Sequence, residues 1–160
     1  MRNSGRGQRN RQIMSGRQTM VDRGGEPVRL DVFGLAERNQ SYRASLWTGE
    51  HLQLSVMCIY SGEEVGLDRR PGSDQMIRIV NGRGLIKMGT SQYRPGVTEK
   101  LFVGDTLFIP AGVWYNIINI GTVPLKLYCI SASPIMPYGT VQTEREGVAA
   151  GEMDPADGKL

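Results

Sequence analysis

Short apolar runs separated by turn residues dominate the chain from Tyr42 onward. Many of these runs are four to eight residues long and rich in β-branched and aromatic residues, which is typical of strands in a sandwich or barrel. No run of ten or more residues has helical periodicity, apart from a short turn near residues 30–37. The pattern predicts an all-β fold with strands at Arg43–Trp47, Leu52–Tyr60, Glu64–Asp68, Gln75–Val80, Gly84–Met88, Thr98–Phe102, Thr106–Ile109, Val113–Ile118 and Leu125–Ser131.

The Asn81-Gly82 pair stands between two of these apolar runs. Both residue types tolerate a positive φ, so an Asn-Gly pair between strands is a strong signal for a tight turn. The pattern predicts that strands 75–80 and 84–88 form a hairpin.

Composition and charge divide the chain into three parts. With 21 Gly and 8 Pro in 160 residues, the chain is rich in turns and has room for one domain. Residues 1–29 hold seven arginines against Asp22 and Glu26, a net charge of +5, whereas residues 143–160 carry −3. The chain is therefore predicted to have a basic Arg/Gly-rich arm at 1–27, a barrel domain at 28–142 and an acidic tail at 143–160.

The arm is a candidate contact surface for a neighbouring subunit or for nucleic acid, because clustered arginines bind phosphates and acidic surfaces. A solvated extension is the alternative. The arm lacks aromatic residues that could stack on bases, which weakens the case for specific RNA recognition. The candidate contact residues are Arg2, Arg6, Arg9, Arg11 and Arg17.

No apolar run approaches the length of a membrane span, and the first residues lack the apolar segment of a secretory signal. The two cysteines, Cys58 and Cys129, lie in apolar strand-like runs that suit buried thiols, although neighbouring strands could bring them together as a disulfide. We expect a cytoplasmic protein with no membrane partner.

Two stretches have the spacing of paired motifs. Residues 104–119 read GDTLFIPAGVWYNIIN, and residues 62–82 read GEEVGLDRRPGSDQMIRIVNG. Both resemble the two conserved motifs of the cupin superfamily. The flanking runs RASLWTGEHLQLSVM and PLKLYCISASPIMPYGTVQTE resemble the small single-domain cupins described as mannose-6-phosphate isomerase-like. The resemblance covers roughly residues 40–142 and implies a double-stranded β-helix, or jelly-roll, barrel.

In the family these motifs place two histidines, a glutamate and a third histidine around a metal ion. By the same resemblance those positions fall here on Asp68, Arg70, Gln75 and Tyr115. A permanent guanidinium charge at such a position would repel a divalent cation. The single histidine, His51, matches none of the four. We therefore expect no metal, no other cofactor and no catalytic residue.

The four substituted residues leave three interpretations open. They could satisfy one another's hydrogen bonds inside the barrel. Arg70 and Tyr115 could instead donate to a carboxylate, a phosphate or a sugar hydroxyl. Tyr115 and Asp68 could also act as acid and base without a metal.

At the level of function, the sequence favours a non-catalytic binding or self-assembly protein that forms at least a homodimer, because barrels with exposed edge strands often pair with another copy. The possible ligand is a small anionic or sugar-like molecule. The alternatives are an isomerase-like enzyme acting on a phosphorylated sugar, which rests on the resemblance alone, and nucleic-acid binding through the arm.

Overall fold

The computed structural model describes residues 20–146 of the chain. The arginines at positions 2, 6, 9, 11 and 17 lie outside the described residues, and their predicted contacts stay predictions. The described elements are α1 (Val32–Arg38), β1 (Arg43–Thr48), β2 (Gln53–Ile59), β3 (Asp68–Arg69), β4 (Asp74–Asn81), β5 (Gly84–Gly89), β6 (Val97–Leu101), β7 (Thr106–Ile109), β8 (Trp114–Asn119), β9 (Leu125–Ala132) and β10 (Val141–Gln142).

The strands form two antiparallel sheets. One has six strands in the order β10-β1-β2-β9-β4-β7, and the other has four in the order β3-β8-β5-β6. Apart from β1-β2 and β5-β6, neighbouring strands are not consecutive in sequence, which is the arrangement of a jelly roll. The predicted all-β barrel is confirmed.

The main core lies between the two sheets. Alternate side chains of each strand point inward, so that residues such as Ile77 and Ile79 of β4 meet Ile86 of β5 and Ile117 of β8 in one buried cluster. A second cluster lies on the outer face of the six-stranded sheet, where α1, which carries Leu35 and Ala36, packs against β2, β4 and β9. We call the space between the sheets the lumen.

The predicted hairpin at Asn81-Gly82 is wrong. The turn exists, with Gly82 at φ +86° and its backbone N–H donating to Asn81 Oδ1 at 2.9 Å. It joins strands of different sheets, because β4 pairs with β7 and β9 whereas β5 pairs with β6 and β8. An Asn-Gly pair reports the local turn geometry and not the partner of the strand that follows.

The predicted strand at 64–68 is interrupted. Glu64 makes only an isolated bridge to Ile118, Gly66 takes φ +86°, and pairing with β8 resumes at Asp68. A positive φ is incompatible with an extended strand, so the segment bends before it reaches the barrel. Strand β10 was not predicted from the sequence.

Residues 20–27, the end of the predicted arm, lie against the barrel. Asp22 is buried and accepts hydrogen bonds from Thr48 Oγ1 at 2.6 Å and from the backbone N–H of Gly139 at 3.0 Å. The backbone N–H of Arg23 donates to the carbonyl of Leu46 at 2.9 Å. Residues 20–27 therefore contact the barrel, and the domain boundary at residue 27 stays a prediction.

Cys58 and Cys129 are buried free thiols, so the disulfide alternative is wrong. His51 is exposed beside Glu50, as expected for a turn residue. Within residues 20–146, no helix has the length and apolar character needed to cross a bilayer.

Candidate functional site

The inner face of the six-stranded sheet changes from apolar to polar along its strands. At one end Ile59 of β2 pairs with Leu125 of β9, and at the other Gln53 pairs with Ser131. The residues at this second end are buried although they carry hydroxyl and amide groups. We call it the polar end of the lumen, and its members are Ser45, Gln53, Ser55, Gln75 and Ser131.

Three of the four sequence-predicted residues meet at the mouth of the lumen. Arg70 Nε lies 2.9 Å from Asp68 Oδ2, so the two side chains form an ion pair. The hydroxyl of Tyr115 donates to the same carboxylate oxygen at 3.4 Å. The Arg70 and Asp68 side chains are 31% and 21% exposed, whereas Tyr115 is buried. We call these three residues the mouth cluster.

Gln75, the fourth predicted residue, lies in the wall of the polar end. Its amide nitrogen donates over long distances to Cys129 Sγ at 3.8 Å and Ser131 Oγ at 3.5 Å. Its Oε1 is buried and has no hydrogen-bond partner among the described residues. A buried amide oxygen without a donor is costly, which marks this atom as a possible acceptor for a ligand.

Two titratable groups in the lumen are held in their neutral forms. Burial raises the pKa of Tyr115 far above its ordinary value, with a further contribution from the negative charge of Asp68. Burial also raises the pKa of the Cys129 thiol. The positive charges of Arg43 and Arg70 oppose both shifts without reversing them. At neutral pH the phenol and the thiol are uncharged.

Arg43, which the sequence interpretation did not single out, is also inside the barrel. It begins β1, pairs with Met57 of β2, and is only 6% exposed. Its Nη2 donates to Met57 Sδ at 3.3 Å and its Nη1 to Met136 Sδ at 3.7 Å, while its Nε has no partner in the described chain. The alternation of Arg43, Ala44, Ser45 and Leu46 carried a signal, since it places Arg43 and Ser45 on one face.

A loop after β9 covers the polar end of the lumen. The Gln53 Oε1 accepts from the backbone N–H groups of Ile135 and Met136 at 3.1 and 3.0 Å, and Gln53 Nε2 donates to the Met136 carbonyl at 2.9 Å. These bonds hold the half-buried Met136 side chain over the Arg43 guanidinium.

The donor chemistry of the site does not fit a metal ion. Residues 20–146 contain no group of three or more His, Cys, Asp or Glu side chains placed to share an ion. Asp68 is the carboxylate of the mouth cluster, and its oxygens already accept from Arg70, Tyr115 and the backbone N–H of Arg69. The remaining groups are guanidinium, phenol and amide, which serve as hydrogen-bond donors and acceptors for an organic ligand.

Comparison with known proteins agrees with this architecture. Residues 55–131 match the family described as "Cupin domain". The Bacillus subtilis (strain 168) protein YrkC is 39% identical over 132 residues, which is 82% of this chain and 71% of that protein.

Two solved structures are similar in fold. BH2720 from Bacillus halodurans is 42% identical with a TM-score of 0.76, covering 77% of this chain and 93% of that one. A Klebsiella pneumoniae protein with a double-stranded β-helix domain is 15% identical with a TM-score of 0.56, covering 74% and 100%, and shows the fold alone. The chain belongs to the cupin superfamily.

Proposed function

We propose that this protein is a metal-free cupin that binds a small polar ligand in its lumen without turning it over, and that it works as a homo-oligomer in the cytoplasm. The family's metal-ligand positions are taken to be those of Asp68, Arg70, Gln75 and Tyr115. The flanking runs resemble those of the mannose-6-phosphate isomerase-like subgroup, but a shared fold does not imply a shared activity. We therefore propose no isomerase activity.

The Asp68–Arg70 ion pair is the observation that carries the proposal. The guanidinium Nε of Arg70 is 2.9 Å from the Asp68 carboxylate. A divalent ion at Asp68 would meet a fixed positive charge in a partly desolvated mouth. Hydrogen-bond recognition of an organic ligand needs no such ion and uses the groups that are present.

Elemental analysis tests the absence of a metal centre. Purified protein is incubated with manganese, iron, zinc or nickel, desalted and measured, and we expect substoichiometric metal in every case. A matched gain-of-binding variant restores the family's donor set and should bind stoichiometric metal; it carries Asp68→His, Arg70→His, Gln75→Glu and Tyr115→His. Stoichiometric metal at the mouth cluster of the wild-type protein would refute the proposal.

The oligomeric part of the proposal rests on an apolar row across the outer face of the six-stranded sheet. Four side chains are direct cross-strand neighbours on β2, β9, β4 and β7, namely Leu54, Ile130, Met76 and Phe108. Phe108 is 73% exposed, and α1 packs on the other part of this face. A flat apolar sheet face can pack on a copy of itself about 10 Å away through a two-fold axis.

Light scattering after size exclusion tests this interface. The wild-type protein should elute as a dimer or larger, and Phe108→Asp should lower the mass, because a charge inside an apolar contact is desolvated on association. Phe102→Asp is the matched control, since Phe102 is an exposed aromatic residue outside this row. A monomeric wild-type protein, or an unchanged mass for Phe108→Asp, would contradict the assignment.

A further inference from the structure

Within residues 20–146, the Arg43 guanidinium is a buried cation without an anionic partner. Of the ion pairs in residues 20–146, none involves Arg43, and its hydrogen-bond acceptors are the two thioether sulfurs of Met57 and Met136. Thioether sulfur is a weak acceptor that carries no charge. The nearest aromatic ring, that of Tyr42, lies 5.9 Å from Arg43 Cζ, which gives a partial compensation only.

The groups around Arg43 do not neutralise it. Tyr115 and Cys129 are protonated, as described above, and Asp68 is engaged by Arg70 at 2.9 Å. Two guanidiniums and one carboxylate leave the site with one excess positive charge. Buried charges in folded proteins are generally paired, so an unpaired one points to a partner that residues 20–146 do not supply.

A second unsatisfied atom lies in the same lumen. The two buried side-chain polar atoms without a partner in the described chain are the Arg43 Nε donor and the Gln75 Oε1 acceptor. They stand on β1 and β4, with β2 and β9 between them in the sheet. The Arg43 Nε donor is complementary to an anionic oxygen, and the Gln75 Oε1 acceptor is complementary to a hydroxyl group.

We propose that Arg43 anchors the acid group of a small hydroxylated anion, a carboxylate or a phosphate, and that Gln75 accepts a hydrogen bond from one of its hydroxyls. This assignment rests on the proposed binding function and names its ligand class. An anionic oxygen would replace the Met136 sulfur as the acceptor of Nη1, converting a weak contact into a charge-assisted bond. The one excess positive charge of Arg43, Arg70 and Asp68 would attract the anion on its way in.

Calorimetric titration tests the anchor with chemically matched probes. Gluconate and glucose 6-phosphate carry the two acid groups with hydroxyls, glucose is the neutral match, and inorganic sulfate is an anion without a hydroxyl. We expect at least one of the two hydroxylated anions to bind the full chain more tightly than glucose. Arg43→Met should weaken that binding by about tenfold or more, the loss of one charge-assisted bond. Arg43→Lys should retain part of it.

Gln75→Leu separates the hydroxyl contact from the anion contact. The substitution should weaken binding of the hydroxylated anion and leave binding of sulfate unchanged, because sulfate offers no hydroxyl to the amide oxygen. Arg78→Met, on the exposed outer face of β4, is the matched control and should bind like the wild type. Circular dichroism establishes that each variant is folded.

The outcomes distinguish this inference from the function on which it rests. Glucose binding as tightly as the anions, or anion binding unchanged in both Arg43 variants, would overturn the anchor while leaving a binding protein. Failure of the wild-type protein to bind any of the anions would also overturn the anchor. Metal-dependent turnover of a probe would overturn the proposed function itself.

Discussion

Arg43→Met should make the ligand-free protein more stable. In the structure Arg43 is only 6% exposed, and the only hydrogen-bond acceptors of its guanidinium within the described chain are sulfur atoms. Methionine keeps a long unbranched side chain among Met57 and Met136 and removes the charge. The variant therefore tests directly whether the charge is a cost to folding.

The magnitude follows from opposing contributions. The effective penalty of burying an ion without a partner is several kcal/mol. Two effects of the substitution oppose this gain. Loss of the cation–π contact with Tyr42 costs about 1 kcal/mol, and the space left by a smaller side chain costs about 1 kcal/mol. The expected net stabilisation is about 2 kcal/mol, which corresponds to roughly 4–8 °C in the melting temperature for a chain of this size.

Urea unfolding in a dilute zwitterionic buffer measures the effect, because guanidinium chloride or phosphate would supply anions to the site. Arg78→Met should change stability by about 0.5 kcal/mol or less, as is usual for an exposed position. If Arg43→Met instead lost 1 kcal/mol or more, Arg43 would be a structural residue satisfied by its present neighbours, and the reasoning would be refuted.

Two further predictions concern the pH dependence and a turn. In the wild-type protein the raised pKa of Tyr115 keeps the folded phenol protonated above pH 10, where the phenol of the unfolded chain ionises. The free energy of unfolding therefore falls with rising pH by up to about 1.4 kcal/mol per pH unit. Tyr115→Phe removes this group and should flatten that loss of stability. Tyr42, whose pKa burial also raises, should leave a residual slope in urea titrations from pH 8 to 11. Gly82→Ala should cost more than Gly62→Ala in thermal unfolding, because both have positive φ but only at Gly82 would a Cβ meet backbone, with Pro124 O at 2.9 Å. Equal losses would show that backbone strain alone decides the cost.

The barrel fold was predictable because short stretches of sequence specify its turns and strands. The segment from Gly104 to Asn119 contains a glycine turn, a short apolar strand and a second turn at Pro110, and the structure has β7 and β8 at these places. The partner of each strand was not predictable in the same way. Asn81-Gly82 specifies a turn, but whether β5 returns beside β4 or crosses to the other sheet depends on contacts with distant strands.

The site was predictable in part for the same reason. The spacing of Asp68 and Arg70 placed them within reach of each other, and Tyr115 followed from the turn before β8. The buried position of Arg43 was not predicted, because a charged residue at the start of an alternating strand normally faces solvent. Here α1 covers the face that carries Ala44 and Leu46, so the face with Arg43 becomes the inside of the barrel. That outcome is a tertiary effect.

The strand order has a consequence for how the chain reaches its native state. In the six-stranded sheet β2 lies between β1 and β9, and six strands separate β2 from β9 along the chain. The sheet cannot be completed until β9 has been synthesised, and such non-local pairing is slow because chain closure precedes the contacts that repay it. A nascent chain that has emerged only as far as β8 would expose the inward apolar side chains of β2 and β4, which makes it dependent on protection from aggregation during synthesis.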